Sequence, residues 1–336
     1  MSPELSHAEY PNRLYVNDGI LNPAMVGELK PTSLDTPLDD VRRRLRDDGY
    51  VFLKGLLPQA DVLNAREQYF RLLAPSGILK AGTDPVDGIF NSANESLDYP
   101  AFGAGHFDGP NDGPNVEQSA RYIELGVKAH TEPWYKESFA RHPVLLDYVA
   151  KLTGWGRDTL ELQRTMLRNC TPGNKAIGIH YDQIFLRHGE DTVLTAWVPI
   201  GDVSVNGGGL IYLEKKVTVD VGHTLGSEIE RRFAHQARST GMTEKEMENA
   251  FNQNMMAGGM LSQNPIEFGE QYERKWLVTA YEAGDVVFHD SYAIHASTTN
   301  NDPHGVIRLA TDLRFVNSQR PWDTRWKKDF ELGDGL

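Results

Sequence analysis

The sequence predicts an α+β protein whose core is a jelly roll or a related barrel. Three observations carry that expectation: helical spacing of apolar residues in the first half, many short strand-like runs in the second, and a charged, helix-like insert that separates those strands.

Residues 1 to about 35 are polar and proline-spotted, and read as a surface wrap that forms no core. Thr36 is placed to cap a helix with Pro37 at its first position. Leu38, Val41 and Leu45 follow at helical spacing, and Gly49 stops the helix. Tyr50-Val51-Phe52-Leu53 reads as a short strand. Pro58 then opens a second helix with Val62, Leu63, Tyr69, Phe70 and Leu73 on one face. From Ala74 to Asn115 the chain is rich in Gly, Pro, Asn and Asp, with Phe102, His106 and Phe107 embedded in it. A loop of that length lies over a functional mouth or is a plain surface excursion. Two helical segments follow, at about 116–130 and 133–153.

After Gly154 the pattern turns to strands: 160–167, 193–200 and 210–213, separated by Gly and Asn turns. Residues 224–257 return to helix-like spacing, with Met242, Met247, Met255 and Met256 read as core filler. Strands are expected again at 276–281, 285–289, 294–298 and 306–315, the last two joined by the turn-rich run Asn300 to Gly305. The expected organisation is one domain over 1–336, with 1–35 as an N-terminal extension and 217–275 as an insert between core strands.

A net charge of −13 disfavours nucleic acid or an anionic membrane as partner, so an anionic ligand needs a local arginine. The single cysteine, Cys170, excludes an internal disulfide and reads as a small apolar core residue. The start, Met1-Ser2-Pro3-Glu4-Leu5-Ser6, lacks a basic and apolar leader. No run approaches the roughly 20 apolar residues of a membrane span, and the final residues carry no peroxisomal tripeptide. A cytoplasmic protein is expected.

The chemistry centres on Gly178-Ile179-His180-Tyr181-Asp182-Gln183, where a histidine and a carboxylate stand two residues apart. In an extended strand those positions share a face, and a third ligand from elsewhere completes a two-histidine, one-carboxylate metal site with open positions. The spacing alone is common. His7-x-Glu9, His106-x-Asp108, His130-x-Glu132 and His188-x-Glu190 share it, but they sit in a tail, a loop, a helix-like run and a turn. The third ligand is assigned to His295, with His289 as its competitor, because Ser297 shares the face of His295 and the next strand returns Arg308 across a hairpin. An arginine fork beside an open metal position suits a dicarboxylate.

With these residues in place the chain resembles the phytanoyl-CoA dioxygenase-like family of iron(II)- and 2-oxoglutarate-dependent oxygenases, over most of residues 36–316. The marks are Asp48-Gly49-Tyr50-Val51-Phe52-Leu53-Lys54-Gly55-Leu56-Leu57, then His180-x-Asp182, His295 and Arg308 in order. The resemblance implies a double-stranded β-helix with flanking helices, in which 217–275 is a lid-like insert. It implies His180, Asp182 and His295 as catalytic iron ligands, and Arg308 with Ser297 on the distal carboxylate of 2-oxoglutarate. Gln163 and Trp197 resemble residues lining the co-substrate pocket. Fe(II), 2-oxoglutarate and O2 are the implied cofactors, and the implied reaction is oxidation of a C–H bond in a small molecule, hydroxylation first and desaturation or cyclisation beside it, with release of succinate and CO2. Asp182 argues against a halogenase, because the carboxylate fills the position a halide would need. Phe107, Tyr181, Phe185 and Met260 are assigned to the substrate wall. A secondary-metabolite or catabolic role is expected. The alternatives are a cupin-like metal-dependent hydrolase or isomerase, which has no need of Arg308, and a catalytically silent small-molecule-binding protein.

Overall fold

The structure, a computed structural model, describes residues 13–100, 115–186, 188–214, 227–228, 231, 243, 246 and 260–332. Its elements in chain order are β1 (Tyr15–Val16), β2 (Gly19–Ile20), β3 (Val26–Glu28), β4 (Pro31–Thr32), α1 (Leu38–Asp48), β5 (Tyr50–Leu53), α2 (Gln59–Leu73), α3 (Val116–Ala129) and α4 (Pro143–Thr153). Then come β6 (Thr159–Glu161), β7 (Met166–Cys170), β8 (Leu194–Pro199), β9 (Leu210–Leu213), a further helix that we label α5 (Pro265–Tyr272), β10 (Trp276–Val278), β11 (Val286–Asp290), β12 (His295–Ser297) and β13 (Arg308–Asn317). The fold is mixed α+β.

Seven strands form one sheet in the order β4-β5-β11-β8-β13-β6, with β7 also paired to β13. Four form a second sheet in the order β12-β9-β10-β3. Alternation along the strands sets the layers. On the larger sheet Val51, Leu53, Leu194, Ala196, Val198, Val286, Phe288, Leu309 and Leu313 point outward into one core with Val62, Tyr69 and Phe70 of α2 and Leu145 and Val149 of α4. Their neighbours Phe52, Trp197, Val287 and Ala310 point inward, meeting Leu210, Tyr212 and Leu277 of the smaller sheet. Ile211, Leu213, Trp276 and Val278 form the outer face of that smaller sheet, covered by Phe268 of α5 and by Leu14, Val16 and Leu21.

Several expectations need correction. Residues 13–35 are not a coreless wrap: Leu14, Val16, Leu21 and Leu29 are buried, β3 pairs in parallel with β10 and β4 with β5. The first helix starts one residue later than expected, with Pro37 in the cap position and no side-chain cap, while Gly49 ends it at φ 83° as the sequence indicates. The segment 133–153 is split into a π-turn, Trp134–Phe139, and α4, because Pro143 disfavours helical backbone at His142. The strand over 160–167 is broken at 162–165. Glu161 pairs with Phe315 and Met166 with Asp312, so this edge carries two more residues than its partner and bulges.

The described part of the 74–115 run folds against the helical layer, where buried Tyr99 meets Phe90 and Tyr122 edge-on and donates to the Ser76 carbonyl. Phe102, His106, Phe107, Met242, Met247, Met255 and Met256 lie outside the described residues. Among the described residues no helix is long and apolar enough to cross a membrane.

Candidate metal centre

His180 and His295 face each other across an isolated antiparallel bridge, each donating its backbone N–H to the other's carbonyl at 3.0 and 2.9 Å. That pairing sets their rings side by side, with centroids 4.2 Å apart. Tyr181 is extended (φ −130°, ψ 152°), so Asp182 returns to the side of His180 just as the chain enters the 3-10 turn Asp182–Ile184. Ligand atoms of His180, Asp182 and His295 all lie within 4.8 Å of one another, and all three residues are buried.

The imidazoles are prepared as ligands. His180 Nδ1 lies 2.9 Å from the Gly178 carbonyl and His295 Nδ1 2.8 Å from that of Ala293. A carbonyl can only accept, so Nδ1 carries the proton and Nε2 keeps its lone pair for a metal. Burial pushes His180 down to about 4, against the pull of Asp182, so the ring is neutral at ordinary pH. Burial, helped by the neighbouring His180 and His289 rings, holds His295 well below the usual histidine range. Burial alone would raise Asp182, but the Arg314 guanidinium and His289 hold it well below the usual carboxylate range. Two neutral imidazoles and one carboxylate on one face fit a divalent first-row metal such as iron(II).

A small cavity borders the two histidines, and Arg168, Trp197, Arg308 and Asp312 line it together with His180 and His295. On β13, alternate residues Arg308, Ala310, Asp312 and Arg314 point inward, which puts two guanidiniums and a carboxylate into a dry layer. Arg314 pairs with Asp182 at 3.2 Å and Arg168 lies 3.7 Å from Asp312. Arg308 is 3 % exposed, its Nε has no hydrogen-bond partner, and among the described residues no carboxylate forms an ion pair with it.

The sequence-assigned residues fall into three groups. His180, Asp182 and His295 come together, and Arg308 and Trp197 share their cavity. His289 lies behind the triad, with Nε2 3.4 Å from Asp182 Oδ2. Ser297 is buried beside the site, its hydroxyl accepting from Ile177 N at 2.9 Å. Gln163 is a correction: it is the exposed residue of the bulge and donates to Asp329 Oδ1 at 3.1 Å, away from the cavity. Tyr181, Phe185 and Met260 are a further correction to the assigned substrate wall: all three pack in the apolar cluster outside the smaller sheet and none lines the cavity, although the Phe185 ring also stands edge-on to His180 at 5.7 Å. The rival His130 is a core histidine: Nδ1 meets the Gly126 carbonyl and Nε2 accepts from Leu167 N. Sequence reasoning missed Arg168, Asp312, Arg314 and Thr195. Alternating charged residues inside an otherwise apolar β13 are the signal that marks two of them.

A buried two-histidine, one-carboxylate site with an arginine in the adjoining cavity defines a class, the non-heme metal oxygenases that take a dicarboxylate co-substrate. The family profile for phytanoyl-CoA dioxygenase (PhyH) matches residues 45–308, and the chain belongs to that family. It is an iron(II)- and 2-oxoglutarate-dependent enzyme, with O2 as the second co-substrate. The search of curated proteins returns no match. Among solved structures the chain is similar to the α-ketoglutarate-dependent epimerase SnoN from nogalamycin biosynthesis (17% identity, 83% of this chain and 82% of that one, TM-score 0.43). It is also similar to the carbocyclase SnoK from the same biosynthesis (19%, 85% and 86%, 0.45) and to AviO1 from Streptomyces viridochromogenes Tue57 (13%, 85% and 97%, 0.43).

Proposed function

We propose that this enzyme hydroxylates a C–H bond of a small organic substrate, turning over 2-oxoglutarate to succinate and carbon dioxide. The observation that carries this reading is Arg308, a buried guanidinium without a carboxylate partner among the described residues, in the cavity that His180 and His295 also line. A buried cation of this kind is costly unless a ligand anion pairs with it. The hydrolase or isomerase alternative leaves Arg308 without a task.

When bound, Fe(II) with 2-oxoglutarate supplies the oxidising power for C–H cleavage by reducing dioxygen as the co-substrate is decarboxylated. The chain's own residues prepare for that chemistry. His180 and His295 offer Nε2, Asp182 offers an anionic oxygen, and the Nδ1 contacts lock both rings in orientation. Arg308 takes the distal carboxylate through its fork, and Ser297, whose hydroxyl accepts from Ile177 N and keeps its own O–H to donate, is assigned a second hydrogen bond to it. Arg168 adds positive potential, Trp197 walls the cavity, and the Phe185 ring packs edge-on against His180. Burial of the triad and of Arg308 lowers the local dielectric, which strengthens each charge contact.

We further propose that the two facing sheets are the halves of a double-stranded β-helix, that residues 1–336 form one catalytic domain, and that 217–275 is an insert between core strands. A role in secondary metabolism accords with this reading. The test is succinate formation by iron-loaded protein with 2-oxoglutarate, O2 and a panel of small aliphatic and cyclic substrates. A product one oxygen atom heavier, lost in Arg308→Leu, is expected. A product lacking two hydrogens, or succinate formation unaffected by Arg308→Leu, would contradict the assignment.

A further inference from the structure

Asp182 meets an uneven set of partners. Oδ2 accepts from the Thr195 hydroxyl in a short contact and from Arg314 Nε at 3.2 Å, and His289 Nε2 stands 3.4 Å away. Oδ1 accepts from Arg314 Nη2 at 3.2 Å, and among the described residues no second donor reaches it. The three residues form one row of the larger sheet: His289 of β11 is the cross-strand partner of Thr195 of β8, which is the partner of Arg314 of β13. All are inward-facing, and Asp182, Thr195, His289 and Arg314 are each no more than 4 % exposed. Facing a carboxylate, His289 Nε2 must carry its proton, so Nδ1 accepts from the Tyr212 hydroxyl at 3.1 Å.

We propose that the row His289–Thr195–Arg314 is a positioning clamp that saturates Oδ2 of Asp182 and leaves Oδ1 as the single oxygen offered to the metal. A carboxylate oxygen has two lone-pair sites. On Oδ2 both are taken, by the Thr195 hydroxyl and Arg314 Nε, while His289 Nε2 stands beside them without a hydrogen bond of its own among the described residues; on Oδ1 one remains. A carboxylate that ligates through both oxygens occupies an extra position at the metal, which the co-substrate or dioxygen needs. The clamp therefore keeps the coordination sphere open, in addition to the support that an outer partner gives a metal ligand. Because the row spans three adjacent strands of a packed sheet, the clamp is rigid before any ligand arrives.

This inference rests on the iron and 2-oxoglutarate reading, and the test separates the two. Full-length protein is loaded with Co(II), whose visible bands report coordination, and titrated with 2-oxoglutarate. Wild type and Thr195→Ser should share one spectrum and one affinity. Thr195→Val/His289→Phe should still bind Co(II), show altered bands, and bind 2-oxoglutarate about 10-fold more weakly or worse. Thr195→Val alone, nearly isosteric, should show the same spectral change in smaller measure, and it serves if the double variant does not fold. A folded variant lacking the Thr195 hydroxyl with the wild-type spectrum and wild-type 2-oxoglutarate affinity overturns the clamp. If wild-type Co(II) protein shows no response to 2-oxoglutarate, the functional reading fails and the clamp with it.

Discussion

Arg308 and His289 are both buried beside the metal ligands, yet their substitution should have different effects. Arg308→Leu removes the charge expected to hold the co-substrate; losing one partner of a buried charge pair costs about 2 kcal/mol or more. The expected result is at least about 30-fold weaker 2-oxoglutarate binding with metal affinity retained, measured by calorimetry on metal-loaded protein. His295→Ala should abolish metal binding, whereas His289→Ala should weaken it by about 10-fold to 100-fold, as loss of an outer partner does. Loss of metal in His289→Ala and not in His295→Ala would move the third ligand.

Titration gives a second residue-scale test. Burial lowers His130 and His180 to about 4 from 6.5, so metal-free folded protein binds fewer protons than unfolded chain between those values, and stability falls as pH drops from 6.5 towards 4. Glu161 has the opposite sign: burial raises it to about 7, against the pull of Arg141, and its contribution is lost as pH rises from 4.5 through 7. Glu161→Gln should therefore gain stability on the order of 2 kcal/mol at pH 8 and little at pH 4.5, read from urea unfolding at both pH values. An equal shift at both would refute the assignment. The triad was legible because His180 and Asp182 are sequence neighbours on an extended stretch. Arg314 was not, because its partner Asp182 comes from a distant segment and only the strand pairing brings them together.

At the scale of elements, turns and edges decide which expectations held. Strands β8, β9, β11 and β13 were readable because their alternation separates a helix-facing side from an inward side. Gln163 was misplaced because the chain leaves the regular ladder at 162–165, where two extra residues bulge and Gln163 turns out to solvent, a break that local pattern does not encode. The tight turn before β11 depends on Gly284, at φ 108°, where an added Cβ would lie 2.5 Å from the Leu57 carbonyl oxygen. Gly284→Ala should cost about 2 kcal/mol or more through backbone strain and steric conflict, measured by thermal unfolding. A neutral result would mean that the turn relaxes freely.

Across the whole molecule, the N-terminal residues show what composition conceals. A polar, proline-rich stretch still provides β3 and β4 to both sheets, and Leu29 is fully buried between them, donating its N–H to the Val278 carbonyl at 3.0 Å. Leu29→Ala should cost about 2–5 kcal/mol, as for any core leucine, where a surface wrap would lose almost nothing. The function has the same global origin: an inward sheet face that would normally be apolar carries Arg168, Arg308, Asp312 and Arg314. Such a layer is stable only because its charges pair with each other, with the triad, or with a ligand.

The most direct test of the central claim is anaerobic titration of the metal-free protein with Fe(II) and then 2-oxoglutarate, following the weak visible charge-transfer band of the chelate. The band should appear in wild type, be absent in His180→Ala, and require far more 2-oxoglutarate in Arg308→Leu. Iron binding without the band in wild type, or a band indifferent to both substitutions, would contradict the account.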